Sequence, residues 1–72
     1  MEFDFSKLKG RIIEKFGSRK AFGEAMGLRA EQLSRRLSSQ TPWTPQETLR
    51  AVDLLGIDPL EISDYFFTLK VQ

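Results

Sequence analysis

Residues 18–38, SRKAFGEAMGLRAEQLSRRLS, constrain this chain more than any other stretch. Phe22 and Met26 lie four residues apart and mark the inner face of one short helix. Ala30, Leu33 and Leu37 mark the inner face of a second. Met26-Gly27-Leu28 turns the chain between them, and Gly27 supplies the left-handed backbone such a turn needs, because it has no Cβ to clash. Two short amphipathic helices on either side of a tight turn must bury their apolar faces against other elements, and the flanking sequence provides them.

Ser6 is expected to cap helix one, where Leu8, Ile12, Ile13 and Phe16 recur at helical spacing before Gly17. Ser18 is expected to cap helix two, Arg19 to Met26. Helix three is expected from about Arg29 to Ser38, with a polar connection from Ser39 to Trp43 behind it. Thr44-Pro45-Gln46-Glu47 is a strong helix start: a cap, a proline at the first position and a glutamate closing a capping box. Helix four then carries Leu49, Val52, Leu54 and Leu55 and stops at Gly56. Asp58-Pro59-Leu60-Glu61 repeats the cap-then-proline signature and predicts a short fifth helix with Ile62 and Tyr65. At the ends the period changes. Phe3 and Phe5 alternate with polar residues, as do Phe67, Leu69 and Val71, so the termini are expected to pair into a small antiparallel ribbon. A lone ribbon needs something to pack on, either the helical core or a second copy. The fold expected is therefore all-α, five helices in one domain over residues 1–72, with a β-ribbon from the termini as an addition.

Seventy-two residues allow a small core. With neither cysteine nor histidine, disulfides, Cys/His zinc sites and Ser-His or Cys-His catalytic pairs are excluded. The carboxylates show no pairing for general acid–base work, and there is no glycine-rich phosphate loop. An enzyme is not expected, nor a cofactor, metal or small-molecule substrate. Asp58 and Glu61 have capping roles that argue against a calcium site. No apolar run approaches a membrane span, and MEFDFSKLKG lacks the apolar centre of a signal peptide, so cytoplasmic residence is expected. Net charge is only +1, but it is unevenly placed: residues 1–36 hold nine Lys/Arg against five Asp/Glu, and residues 37–72 hold two against five. Such polarity suits one basic face meeting phosphate.

The paired helices have the layout of a helix-turn-helix, whose second helix enters the DNA major groove. With Ala30, Leu33 and Leu37 inward, helix three presents Glu31, Gln32, Arg35 and Ser38, flanked by Ser34 and Arg36. Arg29, Glu31, Gln32, Ser34 and Arg35 are candidate base readers, with Gln32 and Arg35 foremost, since Arg pairs with guanine and Gln with adenine through two hydrogen bonds each. Ser18, Arg19 and Lys20 at the start of helix two, with Arg36 and Ser38, are candidate phosphate contacts. Phe16, Phe22, Met26 and Leu28 are expected in the core, and Trp43 to staple its loop onto the domain.

The chain resembles the Cro/cI-type (lambda-repressor-like) helix-turn-helix proteins of temperate phages over Ser18 through Ile62. The markers are Phe22-Gly23 where the family has Leu-Ala, then Gly27, Leu28, Leu33 and the closing segment Thr48 to Ile57. The opening MEFDFSKLKGRI and the ending YFFTLKVQ are similar to short phage repressor-like proteins of Gram-positive hosts, nearly end to end. The resemblance implies five helices and operator DNA binding, usually as a homodimer on a palindrome. It puts base readers on Arg29, Ala30, Glu31, Ser34 and Arg35 and a phosphate contact on Arg19. Two positions depart from the pattern. Gly23 for alanine should loosen helix two, and Arg36 stands where the family is often apolar, with Leu37 taking that packing role. Two functions follow. The first is a phage transcriptional regulator of the lysis–lysogeny switch that binds double-stranded operator DNA. The alternative is a modulator of repression (an antirepressor) that binds the phage lysogeny repressor and alters its DNA binding, which Glu31, the low net charge and the aromatic C-terminus favour.

Overall fold

The computed structural model describes residues 2–71; Met1 and Gln72, the outermost residues of the two quoted terminal motifs, lie outside the described residues. Five α-helices follow in order: α1 Ser6–Phe16, α2 Arg19–Met26, α3 Ala30–Leu37, α4 Pro45–Leu55 and α5 Ile62–Phe66, with a 3-10 turn at Pro59–Glu61 leading into α5. The architecture is all-α. The terminal ribbon shrinks to one antiparallel bridge, Phe3 with Leu69, flanked by hydrogen bonds from Asp4 N–H to Thr68 O and from Lys70 N–H to Glu2 O. The ribbon extends no further inward because the next pair, Phe5 and Phe67, are the N-cap of α1 and the C-cap of α5; the outer edge of Phe3 is taken by Ser39, whose hydroxyl accepts from Phe3 N–H at 3.2 Å and donates to Phe3 O at 3.0 Å.

The helix ends follow local chemistry. The Thr44 hydroxyl accepts from Glu47 N–H at 3.1 Å while the Glu47 carboxylate accepts from Thr44 N–H at 3.0 Å, the reciprocal capping box. Ser18 caps α2 through Ala21 N–H. At α1 the cap differs from expectation. Ser6 is the first helical residue, and Asp4 Oδ1 accepts its amide at 2.8 Å. Hydrogen bonding by the Ser6 side chain, and then by its amide, holds the Asp4 carboxyl below its ordinary value. α3 is shorter than expected: Arg29 is its N-cap and Ser38 its C-cap.

Phe5, Leu8, Ile12, Phe22, Met26, Leu33, Leu37, Ala51, Leu55, Ile57 and Phe66 form one buried cluster, with Phe16, Leu28, Trp43 and Val52 packed half-buried against it. Three expected core positions point outward: Ile13, Leu49 and Ala30 are exposed. Leu33 and Leu37, four apart, fix the phase of α3, and Ala30 at its first turn lies beyond the reach of the core. Gly27 adopts φ 76°, as the turn required. Gly23 has a positive role: a Cβ there would sit 3.1 Å from Leu28 O, so its absence lets the turn fold back onto α2, where Leu28 N–H bonds Gly23 O at 2.8 Å. Arg11 joins α1 to α4 by donating to Leu55 O at 3.0 Å, satisfying a helix-end carbonyl. Lys7 sits 4.7 Å from the Tyr65 ring centre and 3.9 Å from Asp64, tying α1 to α5.

Candidate functional site

Two surfaces stand out, one polar and one aromatic. The polar one is the outer side of the α2–α3 pair. Arg19 and Lys20 open α2 exposed, and Arg29, Glu31, Ser34 and Arg35 are exposed on or beside α3. Arg29 and Glu31 approach each other at 3.8 Å, so part of that charge is matched internally. The remaining side chains proposed for DNA contact have structural partners. Ser18 is spent on its cap, and the Ser38 hydroxyl donates to Arg35 O at 3.2 Å. The Gln32 carboxamide oxygen accepts from Arg29 N–H at 2.9 Å, closing the first turn of α3. Arg36 is turned inward: its Nε meets Glu47 Oε1 at 2.9 Å and its Nη1 donates to Gln32 O at 3.1 Å. Burial alone would push the Glu47 carboxyl up. The Arg36 guanidinium and the Thr44 amide more than offset this and hold it below its ordinary value.

The aromatic surface begins where α3 ends. Ser39 takes a left-handed backbone, φ 65°, and sends the chain toward the N-terminal segment. Trp43 then packs edge-on against Phe66 at 5.2 Å between ring centres and lies 6.4 Å from Phe5; Phe3 lies 6.2 Å from Phe5 and 5.9 Å from Phe67. These five rings and Leu49 line an open groove of about 580 Å³, closed at its edges by Pro42, Pro45 and Ile62. None of the lining residues carries a charge. Leu49 and Phe67 are 64% and 56% exposed, far more than a core needs. The Trp43 Nε1 is buried with no hydrogen-bond partner among the described residues, although the ring staples the loop as expected.

Sequence reasoning reached only part of this groove. The aromatic C-terminus was visible as a contact patch, but Phe3, Trp43 and Leu49 come from three distant segments that only the tertiary fold assembles. Leu49 carried one signal, an apolar residue in a helix already supplied with Val52 and Leu55. Among the described residues no group of three or more His, Cys, Asp or Glu side chains is placed to hold a metal ion, and no helix is long and apolar enough to cross a membrane.

The chain is all-α, with five short helices, a tight turn between the second and third and an uncharged aromatic groove, and its relatives narrow the class. Residues 1–69 match a family described as "Protein of unknown function (DUF739)", and the chain belongs to that family. Among solved structures it is similar to the solution structure of the modulator of repression (MOR) of the temperate bacteriophage TP901-1 from Lactococcus lactis. Identity is 40%, the alignment covers 100% of this chain and 97% of that one, and the TM-score is 0.81. No curated protein matches the sequence. That structural relative is a phage modulator of repression, so the match favours the second of the two functions read from the sequence.

Proposed function

We propose that this chain is a temperate-phage modulator of repression that binds the phage lysogeny repressor through its aromatic groove and thereby alters the repressor's hold on operator DNA. It is a binding protein and not an enzyme, needs no cofactor, and works in the cytoplasm of the bacterial host. One observation carries the reading: full-length similarity, at 40% identity, to a protein that modulates repression. The groove supports it physically. Exposed aromatic and aliphatic side chains gathered in a concave, uncharged site are what an apolar anchor on a protein partner requires. α3 supports it by what it withholds, since the Gln32 carboxamide oxygen closes its own helix turn and Arg36 is turned inward to Glu47.

A second reading, direct operator binding as a Cro/cI-type helix-turn-helix dimer, draws on the exposed Arg19, Lys20 and Arg35. Fluorescence anisotropy separates the two. Labelled operator DNA is titrated with the purified chain alone, with the repressor's DNA-binding domain alone, and with both. The chain alone should leave the DNA signal unchanged at concentrations that change the repressor–DNA signal. Because the groove is uncharged, its affinity for the repressor domain should vary little with salt, whereas DNA binding falls steeply. Tight, sequence-selective retention of operator by the chain alone would overturn the proposal.

A further inference from the structure

The basic side of the α2–α3 pair holds one more arginine than it shows. Arg35 and Arg36 are neighbours in the last turn of α3, yet Arg35 is exposed and the Arg36 side chain is only 13% exposed. Arg36 is held inward by two contacts, Glu47 Oε1 at 2.9 Å and the Gln32 carbonyl at 3.1 Å, and Glu47 itself is only 20% exposed. Glu47 is fixed in its turn, because its carboxylate also closes the capping box of α4. An exposed arginine on a flexible stem is free to meet a passing phosphate. An arginine in a half-buried, doubly anchored ion pair is not, since leaving would strand a carboxylate in a partly desolvated place.

We propose that Glu47 is a specificity-determining residue that withholds Arg36 from the phosphodiester backbone of double-stranded DNA, and so biases this helical scaffold away from nucleic acid. Arg19, Lys20, Arg29 and Arg35 supply a basic surface one contact short of what the sequence offers. The helix-four start does two jobs with one side chain: it ends the α3–α4 connection and neutralises the last cation of α3. The inference is independent of what occupies the aromatic groove, because Glu47 and Arg36 do not line it.

The test uses the full chain and a short random-sequence DNA duplex, followed by anisotropy at low and moderate salt. Glu47→Gln keeps an oxygen for Thr44 N–H, so the capping box survives while the ion pair loses its carboxylate charge and becomes a weaker guanidinium–amide hydrogen bond. Glu47→Ala removes the partner altogether. Releasing one arginine to phosphate should raise low-salt affinity several-fold and steepen the log–log salt slope by about 0.9, an additional fall of about 3.5-fold between 50 and 200 mM salt. Adding Arg36→Ala to either variant should return both readings to the starting values. An unchanged slope in Glu47→Gln and Glu47→Ala overturns the proposal. So does a gain that persists without Arg36, which would place the new contact elsewhere because the double variant carries the wild-type net charge, and so does an equal gain in Asp53→Asn, an exposed acid outside the pair, which would reflect net charge alone. Circular dichroism checks the helices, and if the alanine variant loses them the glutamine variant decides by itself. Repressor-domain binding measured on the same variants should not move; a change there would count against the groove as docking site and leave the DNA result standing.

Discussion

The outer face of α3 runs directly into the segment 38–44 that walls the aromatic groove, and the two surfaces treat their side chains in opposite ways. On α3, several polar groups that chemistry would allow to read DNA are engaged by the chain itself, although Arg35 stays exposed: Gln32 closes a helix turn, Arg36 joins α4, Ser38 serves its own helix end. In the groove, apolar groups that a core would welcome are left out: Leu49 and Phe67 remain more than half exposed although Phe5 and Phe66 beside them are buried. Polar side chains satisfied internally gain little from a partner, whereas exposed apolar area gains on the order of 25 cal/mol for each Å² it loses to water. On that difference rests the proposal that the groove is the docking surface.

The most severe way to break the comparison is to remove the groove floor. Phe66 is 2% exposed and supports Trp43 at 5.2 Å, so it belongs to core and groove together. Phe66→Ala should cost about 3–5 kcal/mol, a large part of the stability of so small a domain. Urea unfolding followed by circular dichroism would register it as a large drop in the midpoint. A loss under 1 kcal/mol would mean that the rings do not hold α5 in place.

A gentler cut separates binding from folding. Leu49→Ala with Phe67→Ala removes two exposed side chains, so stability should stay within about 0.5 kcal/mol per site. Repressor-domain affinity should fall at least tenfold, about 1.4 kcal/mol. Arg35→Ala, the matching cut on α3, should change that affinity by no more than about twofold. Calorimetric titration of the repressor domain decides, and the reverse pattern would move the docking surface to α3.

How much of this was legible beforehand depends on range. The capping box at Thr44 and Glu47 and the left-handed Gly27 involve residues at most four apart and formed as read; Asp58 caps as read, but it opens a 3-10 turn, and α5 begins only at Ile62. Ala30 was misplaced because its phase is set by Leu33 and Leu37 packing on the core, not by its own apolar character. Ser6 falls one position inside the helix, where Phe5 is the N-cap and Asp4, two residues back, accepts the Ser6 amide. The Arg36–Glu47 pair spans eleven positions and requires α4 to return alongside the end of α3. The Ser39 hydroxyl reaches Phe3 across 36 positions, the contact that ties the end of α3 to the N-terminal segment and positions the groove wall. No periodicity in a sequence carries such contacts.

The smallest effect expected is one of pH, and it sharpens the account of α3. The Glu47 carboxyl is held below its ordinary value of 4.5, with burial opposing and the Arg36 guanidinium and Thr44 amide prevailing. A carboxyl whose pKa is lower folded than unfolded binds fewer protons in the folded state, so it adds stability at pH values above 4.5. That contribution is lost progressively as pH falls through 4.5 and then through the lower folded value. The half-buried pair is worth on the order of 1 kcal/mol at neutral pH. Denaturant unfolding of the wild-type chain and Glu47→Gln from pH 7 to pH 3 should therefore show two curves that converge: the wild type more stable at pH 7, the gap closing below pH 4.5. Asp4 titrates in the same range in both proteins and cancels in the difference. A gap that stays constant to pH 3 would show that the Glu47 charge contributes nothing to holding α3 against α4, and Arg36 would then be kept from the surface by its Gln32 carbonyl bond and packing alone.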